Sequence, residues 1–254
     1  MNWTLYFLGV GNAAAADSLG SASAVIECDR EPLLLIDCGQ EALAAYLHAY
    51  SGMPLAVFIT HVHMDHVAGL ERLFFAARFD PQRCGRVRLY VPAALVPYLQ
   101  ARVADYPGVL AEGGSNFWDA FQLIPVTRGF WHRDRWYDVF EVRHHAPGTA
   151  FGLRLRGALV YTGDTRPIPE ALACHADERE LIAHDCALIG NPSHSGLDDL
   201  EREYGKDLLG RLLIYHYGSA AEADAIAARG FSVARAGQRV ALSTPTAQQT
   251  RESF

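Results

Sequence analysis

The sequence predicts an α/β protein in which sheets carry helices on their outer sides. Two observations point there. Half of the 254 residues are hydrophobic, enough to bury a substantial core. Short apolar runs of strand length come in clusters, with helical patterns between them. No linker rich in proline, serine or charge divides the chain and no repeat is seen, so residues 1–254 read as one domain.

Residues 3–8 read as a strand, and the Gly/Ala/Ser stretch from Gly9 to Ser21 as a loop. Residues 22–28 and 33–37 form a predicted hairpin whose Leu33–Ile36 run suits a buried strand. A helix is expected over 40–50, and the apolar run Leu55–Thr60 is a strand that ends directly at His61. A helix follows over 67–77, then a strand at 87–91, a helix at 93–104 and a loop at 108–118 containing Gly108, Gly113 and Gly114. Strands are predicted at 121–126, 137–144, 150–156, 158–162, 186–189, 211–215 and 238–242. Helices are predicted after Pro169, at 197–204 and at 219–228.

Composition narrows the function. The formal charge is −7, from 22 Lys+Arg against 29 Asp+Glu, which argues against broad, sequence-independent nucleic-acid binding. The five cysteines, Cys28, Cys38, Cys84, Cys174 and Cys186, are odd in number and form no CxxC pair. They read as reduced thiols rather than a disulfide framework or a cysteine-rich zinc site. The N-terminus lacks a basic segment followed by a long apolar one, and no uncharged stretch approaches the roughly 20 residues of a membrane span. The expected location is the cytoplasm.

The chemistry concentrates in His61-Val62-His63-Met64-Asp65-His66, directly after an apolar strand. A strand-to-helix turn lets side chains converge without helical spacing. Imidazole and carboxylate are ligands for Zn²⁺, Fe²⁺ or Mn²⁺. Three histidines and an aspartate beside a buried strand need compensation, which a metal supplies.

This HxHxDH segment resembles the signature of the metallo-β-lactamase superfamily, and is closest in pattern to its tRNase-Z-like, phosphodiesterase-like branch. The resemblance implies a four-layer αββα sandwich with two divalent metals at one edge of the sheets, zinc first, with manganese or iron as alternatives. Leu35-Ile36-Asp37-Cys38-Gly39 matches the preceding family strand, with Asp37 supporting the metal loop. Tyr161-Thr162-Gly163-Asp164-Thr165 matches the GDT motif, whose Asp164 would bridge the metals. His144, two residues after Val142 and three before Pro147, matches a further ligand, with His145 as the fallback. His216 in the late Leu212–Tyr217 segment matches the last one. Carried over, one metal takes His61, His63, His144 and Asp164, and the other takes Asp65, His66, Asp164 and His216.

Asp185 and His194 loosely match, in tRNase-Z-like enzymes, an acidic residue and the later histidine that it orients to protonate the leaving alcohol. Their spacing is shorter here, and fits instead small family members with an HDC segment, a later histidine, an Asp-rich helix start (Asp198-Asp199) and a final HY. His184 reads as structural. The implied reaction is cleavage of a phosphodiester by a metal-bound hydroxide, with Asp65 accepting a hydrogen bond from the nucleophile and the substrate small or nucleotide-like. Alternatives are a thioester or lactone hydrolase, a mononuclear iron oxygenase and a ligand-binding pseudoenzyme that retains its metals.

Two signals are discounted. Gly9-Val10-Gly11-Asn12-Ala13-Ala14 fits a dinucleotide-binding GxGxxA, but a strand rather than a helix is expected after it. The resemblance makes it the first active-site loop. Residues 128–137 mix Arg128, Arg133 and Arg135 with Phe130, Trp131, His132, Trp136 and Tyr137. That mixture can grip nucleic acid, but an amphipathic hairpin at a pocket rim or homodimer interface gives the same pattern and is preferred.

Overall fold

The computed structural model describes residues 1–105 and 109–246. The chain runs through β1 (Trp3–Gly9), β2 (Ser23–Cys28), β3 (Glu31–Ile36), β4 (Ala56–Phe58), β5 (Val87–Pro92) and β6 (Phe121–Val126). It then builds β7 (Gly129–His132), β8 (Arg135–Glu141), β9 (Phe151–Leu155), β10 (Leu159–Tyr161), β11 (Leu181–Asp185), β12 (Leu212–Tyr215) and β13 (Ser232–Val233), and returns to the first sheet with β14 (Arg239–Leu242). The strand orders are β14-β1-β2-β3-β4-β5-β6 and β13-β12-β11-β10-β9-β8-β7.

Strand alternation creates the layers. On β3, Leu34 and Ile36 face the second sheet while Leu35 faces the helices; on β4, Phe58 faces the sheet and Val57 the helices. Both faces are therefore buried, which is why these strands read as continuous apolar runs. The outer helices Ala42–Ala49 and Gly69–Arg78 close the first sheet with Leu43, Tyr46, Leu70, Leu73 and Phe74. Leu172, Leu200 and Ile226, from the helices Pro169–His175, Leu197–Glu203 and Ala220–Ala228, belong to the core of the second sheet. The result is the expected αββα order.

Several elements differ from the sequence reading. The strand predicted at 186–189 is β11, five residues earlier. It carries the polar His184 and Asp185, and both are fully buried. His184 Nε2 lies 2.8 Å from the Tyr204 hydroxyl and its Nδ1 donates to the Asp185 carbonyl, so its role is structural. The helix expected over 93–104 is a 3₁₀ turn (Ala93–Leu95), an α segment (Val96–Leu99) and a π segment (Gln100–Ala104). The loop at 108–118 yields to a 3₁₀ turn at Phe117–Ala120, capped by the Asn116 side chain, and Gly108 lies outside the described residues. The strand predicted at 137–144 starts at Arg135 and ends at Glu141, and pairs with β7. The segment 128–137 is thus a hairpin, with Phe130 and Tyr137 buried between the sheets and Trp131 exposed.

One buried charge ties β1, β2 and β14. Glu27 accepts from Thr4 Oγ1 (2.6 Å), Tyr50 Oη (2.6 Å) and Arg239 Nε (3.0 Å). Burial disfavours its ionised form, but Arg239 and the two hydroxyls outweigh this and hold the carboxyl below the usual glutamate value. Because the folded value is depressed, the stabilisation is present above the unfolded pKa of about 4.3 and is lost as pH falls through the folded value. In Glu27→Gln, stability at pH 7 is expected to fall by about 2 kcal/mol. The gap from the parent should close on acidification below about pH 4. Melts of both proteins across pH 3–7 check this; a gap independent of pH refutes the ionic role.

Candidate metal centre and proton donor

The metal motif sits where β4 ends. His61 leaves the strand and His63 precedes the short helix Met64–Val67, which carries Asp65 and His66. The turn fits only because glycine occurs at 39 and 69. A Cβ at Gly39 would collide with the Asp65 carbonyl, and one at Gly69 with the Gly39 carbonyl. The close approach is held by Cys38 N–H donating to His66 O (2.8 Å) and Gly69 N–H donating to Cys38 O (2.9 Å).

Buried groups fix the ring orientations. Asp37, fully buried and left-handed at φ 59°, accepts from Thr60 N (2.8 Å), Thr60 Oγ1 (2.7 Å) and His66 Nδ1 (2.8 Å). Thr60 Oγ1 lies 3.1 Å from His61 Nδ1. His144 Nδ1 donates to the Ser193 carbonyl at 2.9 Å. In His61, His66 and His144 the Nδ1 is therefore occupied and Nε2 faces inward, the arrangement that prepares a histidine to bind a metal.

The inward atoms converge. His63 Nδ1 lies 3.0 Å from His61 Nε2 and 3.2 Å from His144 Nε2. One proton satisfies only one such pair, whereas one cation accepts from all three. Asp164, at the end of β10, places Oδ2 at 3.2, 3.4 and 3.5 Å from Nε2 of His216, His66 and His61. Asp65 Oδ2 is 3.5 Å from His66 Nε2 and 3.8 Å from His216 Nε2. Potential ligand atoms of His61, His63, His144 and Asp164 lie within 4.8 Å of one another, as do those of Asp65, His66, Asp164 and His216. These are the two sets expected from the sequence. His66 Nε2, His216 Nε2 and Asp164 Oδ1 are buried without hydrogen-bond partners, so the residues present fit a pair of divalent cations.

Electrostatics agree. Burial, then His66, holds His61 neutral well below its usual range; burial and His144 push His63 down to about 4. Burial opposes ionisation of Asp164 and Asp65, but His216 and His66 outweigh it and keep both carboxylates charged. His216 is raised to about 10, Asp164 and Asp185 overcoming its burial, so without a cation a proton holds that position.

His145 stands outside the convergent set. It is exposed, left-handed at φ 52°, with Nδ1 3.4 Å from Ser193 Oγ. His216, also left-handed at φ 70°, donates its backbone N–H to the Val10 carbonyl at 2.7 Å, so the loop after β1 does border the centre. The helix there, Ala16–Leu19, has four residues and runs into β2, leaving no dinucleotide turn.

His194 and Asp185 meet beside this centre. His194 Nδ1 donates to Asp185 Oδ2 at 2.8 Å, and Thr165 N–H donates to the same oxygen at 2.8 Å. His194 is one-fifth exposed, so its Nε2 can reach a bound molecule. Asp185 Oδ1 is also 3.3 Å from His216 Nδ1, a support the sequence reading missed. It also missed Thr60 and the Ser193 carbonyl; only the adjacency of Thr60 to His61 could have signalled either. Asp199 accepts from Gly196 N–H at 3.1 Å, as a helix cap. Beside His144 opens a recess of about 460 Å³, lined in part by His145, Pro147, Arg143 and Arg166.

Comparison with known proteins agrees with this architecture. A Saccharibacillus brassicae protein, named anti-Pycsar protein Apyc1, is 33% identical over 205 residues, 77% of this chain and 82% of that one. The metallo-β-lactamase fold protein YhfI from Bacillus subtilis superposes with a TM-score of 0.72 at 15% identity, covering 95% of this chain and 100% of that one. A diphosphatase of the PhnP family superposes with 0.73 at 18% identity, covering 95% and 97%. The family described as anti-Pycsar protein Apyc1 matches residues 3–240. The chain has the metallo-β-lactamase fold and belongs to the anti-Pycsar protein Apyc1 family.

Proposed function

We propose that this protein is a dinuclear metal-dependent phosphodiesterase acting on a small, nucleotide-like substrate in the cytoplasm. The observation that carries the reading is the pair of ligand sets sharing Asp164, with the His194–Asp185 pair beside it. His61, His63, His144 and Asp164 would hold one cation, and Asp65, His66, Asp164 and His216 the other. When bound, such cations would supply Lewis-acid chemistry, making a water more acidic and offsetting phosphoryl charge. Asp65, on the rim of the centre, accepts a hydrogen bond from the attacking water and orients it. His194 Nε2 hands a proton to the departing alkoxide while Asp185 holds the ring. Arg166, fixed by its Nη1–H to the Asn191 carbonyl at 2.6 Å, lends positive charge to the recess where a phosphate approaches. The relatives' name gives them a role against Pycsar, and the same role is proposed for this chain.

Metal analysis with a substrate panel tests the reading. Two zinc or manganese ions per chain are expected, with turnover of bis-p-nitrophenyl phosphate and a cyclic mononucleotide, and little of a lactone or thioester. One iron per chain, or turnover confined to the lactone or thioester, overturns it.

A further inference from the structure

The parallel strands that bring the metal residues to their C-terminal ends create a second cavity at their N-terminal ends. It measures about 560 Å³ and is lined by Leu55, Gln82, Arg83, Arg86, Arg88, Gln122, His132 and Arg133. Leu55 at the cavity and His61 at the metal centre lie at opposite ends of the segment that contains β4, six residues apart, a span of up to roughly 20 Å at about 3.3 Å per extended residue.

Strand register builds its wall. Arg88 on β5 pairs with Ala56 on one side and Gln122 of β6 on the other, so these side chains share one face. Ala56 and Tyr90 on that face point between the sheets, which puts Arg88 at the lower mouth of the inter-sheet space. The β7–β8 hairpin closes over this mouth. Its His132 is buried and anchored at both nitrogens, with Nδ1 3.0 Å from Tyr90 Oη and Nε2 2.9 Å from the Leu33 carbonyl. That anchor sets the next residue, Arg133, at the cavity edge, in a left-handed turn at φ 49°. Arg83 and Arg86 come from the turn that leads into β5.

The charge is one-sided. Four guanidiniums and no carboxylate line the cavity of a protein whose net charge is −7. Among the described residues none of the four forms an ion pair, although eight other arginines do. Like charges held together without counter-ions repel one another, and an anion relieves this. Burial first, then Arg88 and Arg133, depress His132 to about 4, so the floor stays neutral and offers the anion no further proton. Guanidinium forks match phosphate oxygens two at a time. Four of them suit more charge than one phosphate carries. Gln82 and Gln122 add amide donors and acceptors, and Leu55, 40% exposed, adds an apolar wall. The volume lies in the range of small-molecule sites, roughly 300–1,000 Å³.

We propose that this arginine-lined cavity binds a ligand carrying linked phosphates, at a site separate from the metal centre. The hairpin 128–137 then serves to present Arg133 and to anchor the cavity floor. A bare oligophosphate and a nucleotide share this chemistry.

Isothermal titration of the metal-loaded protein with inorganic pyrophosphate and with AMP-PNP, each premixed with equimolar Mg²⁺, tests the proposal. Saturable one-to-one binding of at least one of them is expected. If both bind, the phosphates suffice; if only AMP-PNP binds, the nucleoside contributes. In Arg86→Ala/Arg133→Ala the Kd should weaken tenfold or more, while bis-p-nitrophenyl phosphate turnover stays within twofold. Both arginines are exposed, so the fold is not at risk. In Asp65→Asn, binding should persist unchanged. Saturation of neither probe, or binding that survives the arginine changes and disappears with Asp65→Asn, overturns the proposal, as does binding of a short RNA by a protein that takes up neither probe.

Discussion

Alanine at His63 or Asp65 is expected to lower kcat/KM for a phosphodiester by on the order of 10³-fold or more and to leave the melting temperature within a few degrees. The contrast between activity and stability follows from where these side chains sit. Both are half-buried on the open side of the centre, so truncation leaves no core cavity. His63 Nδ1 is nonetheless the point on which His61 and His144 converge, and Asp65 Oδ2 is shared between His66 and His216. Removing either breaks one ligand set and leaves the other. Metal content should therefore fall from two ions per chain toward one. Replacing the fully buried His66 or Asp164 is a poorer test, because the Asp37–His66 hydrogen bond or the charge balance of the core goes too. Full activity in both His63→Ala and Asp65→Ala refutes the proposed chemistry.

The second large effect concerns the leaving group. His194→Ala is expected to slow hydrolysis of a substrate with an alkoxide leaving group by roughly 10²–10⁴-fold, the range for a positioned general acid. Bis-p-nitrophenyl phosphate should be far less affected, because p-nitrophenolate departs without needing a proton. A purely structural His194 would slow both substrates equally, so the ratio of the two rates is the decisive readout. Asp185→Asn should lower the same ratio and also loosen the second metal, since Asp185 faces both His194 and His216. An Asp185→Asn protein with normal metal content and an unchanged ratio would remove Asp185 from both roles.

Much of this was legible in the chain because the information is local. An apolar strand that stops at His61 and is followed by HxHxDH states its own register, and period-two alternation through Phe140, Val142 and His144 separates the buried His144 from the exposed His145. The αββα order followed from that motif through a family resemblance, and the comparisons support it. The strand at 181–185 was not legible in the same way. Its two polar residues are acceptable inside the protein only because Tyr204, Thr165 and His194 reach them from distant segments.

By itself, then, the sequence carried the broad strand and helix pattern and the HxHxDH cluster, because these are written in residue type and short spacing, while the two ligand sets and the pairing of Asp185 with His194 came from its resemblance to a known family. Only the tertiary structure decided how the rings are aimed, through Asp37, Thr60 and the Ser193 carbonyl. It alone showed that Asp185 serves two histidines, and that Arg83, Arg86, Arg88 and Arg133 share one cavity. Hydrogen bonding and charge act through space at about 3–4 Å, and folding sets those distances between residues that lie tens of positions apart in the chain.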